Sequence, residues 1–213
     1  MGLTAEQLRE GLEALAAIEP GFVAGLARHG WPQPRRRPRG HGTLLRTIVG
    51  QQVSVVSADA TWRRLEAAVG PELDPAALLG ASDALLREAG LSRQKSGYLR
   101  HLAELVGSGA LDLATLPVDD EAAIAALCRV KGIGRWSAEI YLLFAEGRPD
   151  IWPAGDLAVQ VEAGVLLGLP TRPTEAETRA LAERWRPYRG AAAVFAWHHY
   201  TERLATRGAK QPL

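Results

Sequence analysis

Between Leu127 and Glu139 the chain reads Leu-Cys-Arg-Val-Lys-Gly-Ile-Gly-Arg-Trp-Ser-Ala-Glu, with the two glycines at 132 and 134. Glycine takes backbone angles that a Cβ forbids, so this pair lets two antiparallel helices meet over a very short turn. The first amides of the second helix then lack intrahelical acceptors and sit at the positive end of its dipole, where a phosphate fits. Such a grip holds a phosphate backbone and does not read bases.

The remainder of the chain also reads as helices. Thr4 caps an amphipathic segment with Leu8, Leu12 and Leu15 on one face, which Pro20 ends. Gly30 to Gly42, rich in Pro, Arg and Gly, is the clearest linker. Leu44, Leu45, Ile48 and Val49 mark the next helix. Ser54, Asp74-Pro75, Ser82, Ser92, Asp156 and Thr174 stand where helices should start, and Tyr188 to Leu204 forms the last one. Few segments show the two-residue period of a strand. The expected fold is all-α, with a short sheet at the start of the chain as an open alternative.

The chain has 213 residues, enough for one domain or two small lobes with a substantial core. Its one cysteine, Cys128, excludes an internal disulfide framework and four-thiolate ligation of an iron–sulfur cluster. It is read as a small buried thiol. The polar N-terminus lacks a signal-peptide core and no apolar run would span a bilayer, so a soluble cytoplasmic protein, nucleoid-associated if bacterial, is expected. The net charge is only +1, but the charges are unevenly placed. No acid occurs from Pro20 to Ser57, which holds Arg28, Arg35, Arg36, Arg37, Arg39 and Arg46. Further acid-free stretches hold Arg93, Lys95, Arg100 and His101, and then Arg129, Lys131 and Arg135. Such runs make a phosphate-facing footprint if they converge, and solvated surface if they do not.

Three segments together resemble the helix-hairpin-helix DNA glycosylases, specifically the 3-methyladenine DNA glycosylase II branch. They are the hairpin itself, the run Pro153-Ala-Gly-Asp156-Leu-Ala, and Ile48-Val-Gly50-Gln51-Gln52-Val-Ser54. The resemblance runs from about Thr43 to Tyr200 and includes Gly90-Leu-Ser-Arg-Gln-Lys95 and the stretch from Tyr188 through Trp197. It implies two helical lobes with an active-site cleft between them. One spans about residues 40–148 with the hairpin at about 124–145, and the other combines 1–39 with 149–213 and carries the catalytic acid.

Asp156 matches the family's catalytic aspartate. Cleaving an N-glycosidic bond leaves positive charge on the sugar, which a carboxylate stabilises while aligning or deprotonating water. A helix N-terminus favours the ionised form, although Asp at a helix start is also an ordinary N-cap. Trp136 stands where lyase members of the superfamily place a Schiff-base lysine, so the resemblance implies a monofunctional enzyme that leaves an abasic site. Trp136 and Trp197 match aromatic positions around the base pocket, where an indole face favours a positively charged alkylated purine. Trp31, Trp62, Trp152 and Trp185 are read as core, with Trp152 alternatively bordering the pocket.

Lys131, Gly132, Gly134 and Arg135 are the candidates for gripping the DNA backbone. Gln52 is the candidate wedge that fills the gap left by an extruded base, a glutamine capping a helix end being the plain alternative. Lys95 and Tyr98 are read as mainly structural. His198 and His199 diverge on a helix and have no partner at metal-ligand spacing, so no side-chain metal site is expected. Main-chain carbonyls of the hairpin, by resemblance, are a place for a monovalent cation.

The leading expectation is a base-excision repair glycosylase that needs no cofactor, acts as a monomer on double-stranded DNA with a damaged base, and removes 3-methyladenine or 7-methylguanine. The alternatives are a glycosylase for deaminated or oxidised bases such as hypoxanthine or uracil, and a non-catalytic helix-hairpin-helix DNA-binding module.

Overall fold

The computed structural model describes residues 2–208, and no strand occurs among them. The chain divides into two compact units: Arg37–Tyr141, and the residues up to Arg36 together with those from Leu142 onward. The expected boundaries at 39/40 and 148/149 fall instead at 36/37 and 141/142.

The Arg37–Tyr141 unit contains α3 (His41–Gly50), α4 (Val55–Val69), α5 (Pro75–Gly80), α6 (Asp83–Glu88), α7 (Arg93–Gly107), α8 (Asp120–Cys128) and α9 (Arg135–Tyr141). Side-chain caps start most of them. Ser54, Ser82 and Ser92 each accept the amide three residues on, and Asp74 accepts those of Ala76 and Ala77. Asp119, one residue outside the helix, caps α8. These bonds satisfy amides that a helix start would otherwise leave unpaired. Helix α3 packs on α4, α7 and α9, and Leu44, Leu45, Ile48, Leu65, Leu99, Leu102 and Leu127 are fully buried.

The other unit contains α1 (Ala5–Ile18), α2 (Pro20–His29), a π-helical turn Leu142–Glu146, α10 (Leu157–Leu166), α11 (Glu175–Leu181), a 3₁₀ turn Ala182–Trp185 and α12 (Arg189–Gly208). Thr4 caps α1 and Thr174 caps α11, each in a reciprocal capping box. Its core is aromatic. Phe22 lies 5.4 Å from both Trp185 and Phe195, and Trp152 lies 5.3 Å edge-on to Trp185.

Helix α2 has no counterpart in the sequence reading, because Gly21 and Gly25 lower helix propensity. Packing accounts for both glycines. A Cβ on Gly21 would lie 2.1 Å from the Leu166 carbonyl oxygen, and one on Gly25 would lie 2.7 Å from the Phe195 ring. Three further expectations are corrected. Cys128 is exposed at the end of α8, not buried. Trp31 is exposed, with the Arg9 guanidinium 4.9 Å from its ring centre. Trp62 is half-buried, with Arg46 at 5.2 Å and its indole N–H donating to Glu66. Each indole is covered by a long cationic side chain and not by the core. No helix among the described residues is long and apolar enough to cross a membrane.

Candidate active site

Asp156 is the N-cap of α10, and its Oδ1 accepts the amides of Ala158 at 2.9 Å and Val159 at 3.1 Å. Tight turns lead into it. The amide of Ala154 donates to the Trp152 carbonyl, that of Asp156 to the Pro153 carbonyl, and the Gln160 side chain returns to the Ala154 carbonyl at 2.8 Å. Trp152 is buried and its Nε1 donates to the Thr178 carbonyl, which anchors the segment leading to Asp156. The carboxylate therefore lies in the field of a helix N-terminus, on a backbone that has little freedom to move.

The middle of α10 is fixed by a network absent from the sequence reading. Glu162 is fully buried, with His199 Nδ1 on one carboxylate oxygen and Arg203 Nε at 3.1 Å on the other. Both partners lie on α12, which also carries Trp197. A lone acid in the Leu157–Leu166 helix, whose only other polar side chain is Gln160, was the available signal, since a buried carboxylate is tolerated only when paired. Trp197 itself is half-buried, its ring 5.5 Å from Phe144 in the π-helical turn. His29 meets His199 edge-on at 4.8 Å, and its Nε2 is buried without a hydrogen-bond partner among the described residues. Burial, then the neighbouring His199 and Arg28, push the His29 imidazole below its ordinary value.

In the Arg37–Tyr141 unit the hairpin runs from α8 through Arg129–Gly134 into α9. Gly132 has φ +86°, and a Cβ there would lie 2.3 Å from the Tyr98 ring, so both conformation and packing demand glycine. Gly134 differs: its φ lies outside the left-handed region and nothing lies within 4 Å of where a Cβ would sit. The conformational role expected of both glycines thus belongs to Gly132. At Gly134 the missing side chain leaves bare backbone open to solvent.

Arg135 is also placed differently from expectation. It donates to both oxygens of Glu121, one at 2.8 Å, and through Nε to the buried Glu139 at 2.9 Å. These bonds, the Glu121 pair first, raise its pKa further, and they commit its donors to carboxylates. Lys131 is exposed, and its ammonium makes no hydrogen bond or ion pair with any described residue.

Gln52 is exposed with φ +55°, an uncommon conformation for a residue with a side chain. Its neighbours hold it there. Gln51 Nε2 donates to the Gly132 carbonyl at 2.7 Å, while the Lys95 ammonium donates to the carbonyls of Val49 and Gln51, each at 2.7 Å. Burial pushes the Lys95 pKa down. The residue capping the end of α3 is Gln51, so Gln52 is left pointing out of a tethered loop. The tether through Gln51 was missed because a glutamine carries no marker of a partner 81 residues away.

Trp136, on α9, is 45% exposed and borders an open recess of about 460 Å³ shared with Arg37, Thr47, Gln51 and Ile140. No group of three or more potential side-chain metal ligands occurs among the described residues.

The chain belongs to the HhH-GPD superfamily of base excision DNA repair proteins, whose profile matches residues 45–187. Within it, the chain is 31% identical to DNA-3-methyladenine glycosylase 1 of Schizosaccharomyces pombe, over 76% of this chain and 72% of that protein. It is 32% identical to DNA-3-methyladenine glycosylase 2 of Escherichia coli, over 74% of this chain but 56% of that longer protein. Among solved structures it is similar to the DNA-3-methyladenine glycosidase of Bacillus halodurans, with a TM-score of 0.84, 31% identity, and coverage of 92% of this chain and 91% of that one. It is also similar to a Schizosaccharomyces pombe 3-methyladenine DNA glycosylase in complex with abasic DNA, with a TM-score of 0.75, 26% identity, and coverage of 90% and 95%.

Proposed function

We propose that this protein is a monofunctional DNA glycosylase that extrudes alkylated purines of the 3-methyladenine and 7-methylguanine type from double-stranded DNA and hydrolyses their N-glycosidic bond. The observation that carries the reading is Asp156, whose carboxylate is held rigidly by two backbone amides at the start of α10. It stabilises the positive charge that develops on the sugar and orients the attacking water. Trp136 and Trp197 offer indole faces to an electron-poor base, a preference worth roughly 0.5–2 kcal/mol. With Trp136 in α9, no amine is supplied at that position to form a Schiff base, so the product is an intact strand with an abasic site.

The open backbone at Gly134 and Lys131, whose ammonium pairs with no described residue, support a phosphate grip at the hairpin. Arg135 contributes by fixing the turn to Glu121 and Glu139, a change from the backbone-binding role expected of it. The tethered Gln51–Gln52 loop supports Gln52 as the residue that enters the stack when the base leaves. The enzyme works as a monomer without a cofactor, in the cytoplasm.

The test is a lesion panel. Duplexes carrying 3-methyladenine or 7-methylguanine, and others carrying hypoxanthine or uracil, are incubated with the protein, and released base and strand breaks are measured separately. The reading expects release from the alkylated duplexes, abasic sites and no enzymatic strand cleavage. Preferential release of hypoxanthine or uracil would replace the substrate class. DNA binding with no abasic site on any duplex would make the chain a binding module.

A further inference from the structure

The Arg37–Tyr141 unit has a second recess, about 370 Å³, formed by α6 and the first half of α7 and bordered by Asp83, Arg87, Arg93, Gly97 and Arg100. Three guanidinium groups meet one carboxylate there. Arg100 is committed to that carboxylate, donating to Asp83 at 2.7 Å and to the Leu79 and Ala81 carbonyls at 3.2 and 2.8 Å. Arg87 and Arg93 are exposed and make no hydrogen bond or ion pair with any described residue, so the recess carries two uncompensated positive charges.

Gly97 is the second observation. It lies in the interior of α7 with ordinary helical backbone angles, and a Cβ on it would meet nothing within 4 Å. Neither conformation nor packing asks for glycine, although glycine in a helix interior is disfavoured relative to alanine. Its effect is to keep the notch open. Arg93, Gly97 and Arg100 follow the i, i+4, i+7 spacing of one helix face, with the two arginines flanking the gap. Lys95, which holds the Gln51–Gln52 loop, projects about 200° around the helix from Arg93, so the notch faces away from that loop.

We infer that this notch binds phosphate groups, seated over Gly97 and held by Arg87 and Arg93. Guanidinium forks match pairs of phosphate oxygens, and the prior engagement of Asp83 by Arg100 removes the acid that would repel them. The ligand is either a phosphodiester of a DNA strand lying beyond the site of base extrusion, or a small free phosphate compound. This site is independent of the catalytic assignment. An Asp156→Asn protein retains it, so failure of one reading leaves the other standing.

The test uses the full chain, an Arg87→Gln/Arg93→Gln double variant, and Gly97→Leu, which fills the notch while keeping every charge. Affinity for an undamaged 30-base-pair duplex is measured by fluorescence anisotropy across a salt series, and thermal unfolding is followed with and without inorganic pyrophosphate. If the ligand is a DNA strand, the slope of log K against log salt shrinks in both variants, by roughly 1 for each phosphate no longer neutralised. If it is a small phosphate, pyrophosphate raises the melting temperature of the wild type and of neither variant. Unchanged slopes together with no pyrophosphate effect on the wild type overturn the proposal. It is equally overturned if Gly97→Leu retains wild-type binding in both assays, which would make the arginines a diffuse surface charge.

Discussion

Asp156 is assigned two jobs, capping α10 and stabilising charge in the reaction, and substitution separates them. Asn and Ser rank with Asp as N-caps, so Asp156→Asn and Asp156→Ser preserve an acceptor for the Ala158 and Val159 amides. Both should fold with stability within a few tenths of a kcal/mol of the wild type. Asp156→Ala loses both hydrogen bonds and costs about 1 kcal/mol. For a chain of this size that is a fall of roughly 2–4 °C in melting temperature. If Asp156 were only a cap, glycosylase activity would follow the same order, with Asn and Ser near the wild type and Ala alone impaired.

The proposed chemistry gives a different order. Removing one preorganised electrostatic group costs about 10²–10³ in rate, or ~2.7–4 kcal/mol. Asn, Ser and Ala should then all fall by that factor under single-turnover conditions, regardless of their melting temperatures. Binding of duplex DNA should be little changed, because the loss lies in the chemical step. The assay is single-turnover release of 7-methylguanine from methylated duplex, beside thermal unfolding of the same preparations. Activity of the Asn and Ser variants within about threefold of wild type, a difference of only ~0.65 kcal/mol, would refute the assignment.

The hairpin glycines should respond in opposite ways. Gly132→Ala meets a positive φ and the Tyr98 ring, costing about 1–2 kcal/mol for the backbone and ~1–3 kcal/mol for overpacking, visible as a marked fall in melting temperature. Gly134→Ala should leave stability unchanged or slightly raised but weaken duplex binding measured by anisotropy, because its methyl occupies the open backbone face. Trp136→Ala, at a half-exposed position, should shift stability by less than about 0.5 kcal/mol. The same variant should slow release of cationic bases by roughly 2- to 30-fold, corresponding to the ~0.5–2 kcal/mol of an indole–cation contact. Finally, His29 resists protonation when folded, so below its ordinary value near 6.5 the unfolded chain holds more protons and stability falls as pH is lowered. Melting curves from pH 7.5 to 5.5 should show a steeper loss for the wild type than for His29→Phe, and parallel losses would show that His29 makes no contribution.

What the sequence disclosed and what it concealed divide along the range of the interactions. Thr4, Ser54, Asp74, Ser82, Ser92, Asp156 and Thr174 all cap the helices assigned to them, because a cap is settled between a side chain and amides two or three residues away. The same locality misled at Arg135. It lies in a run without acids and reads as a free cation, yet Glu121 on the preceding helix folds back onto it, as Asp83 does onto Arg100. A run of like charge in the sequence therefore overstates the charge that a folded surface presents. Lys131, Arg87 and Arg93 make no ion pair with any described residue, so a phosphate can reach them without displacing a carboxylate. Gly21 and Gly25 illustrate the converse, since their close approaches to α10 and α12 turn residues that discourage a helix into residues that allow one to pack. Gly97 has no such approach and no unusual backbone angle. No contact among the described residues accounts for the space it leaves in α7, and the phosphate assignment stands or falls on filling that space.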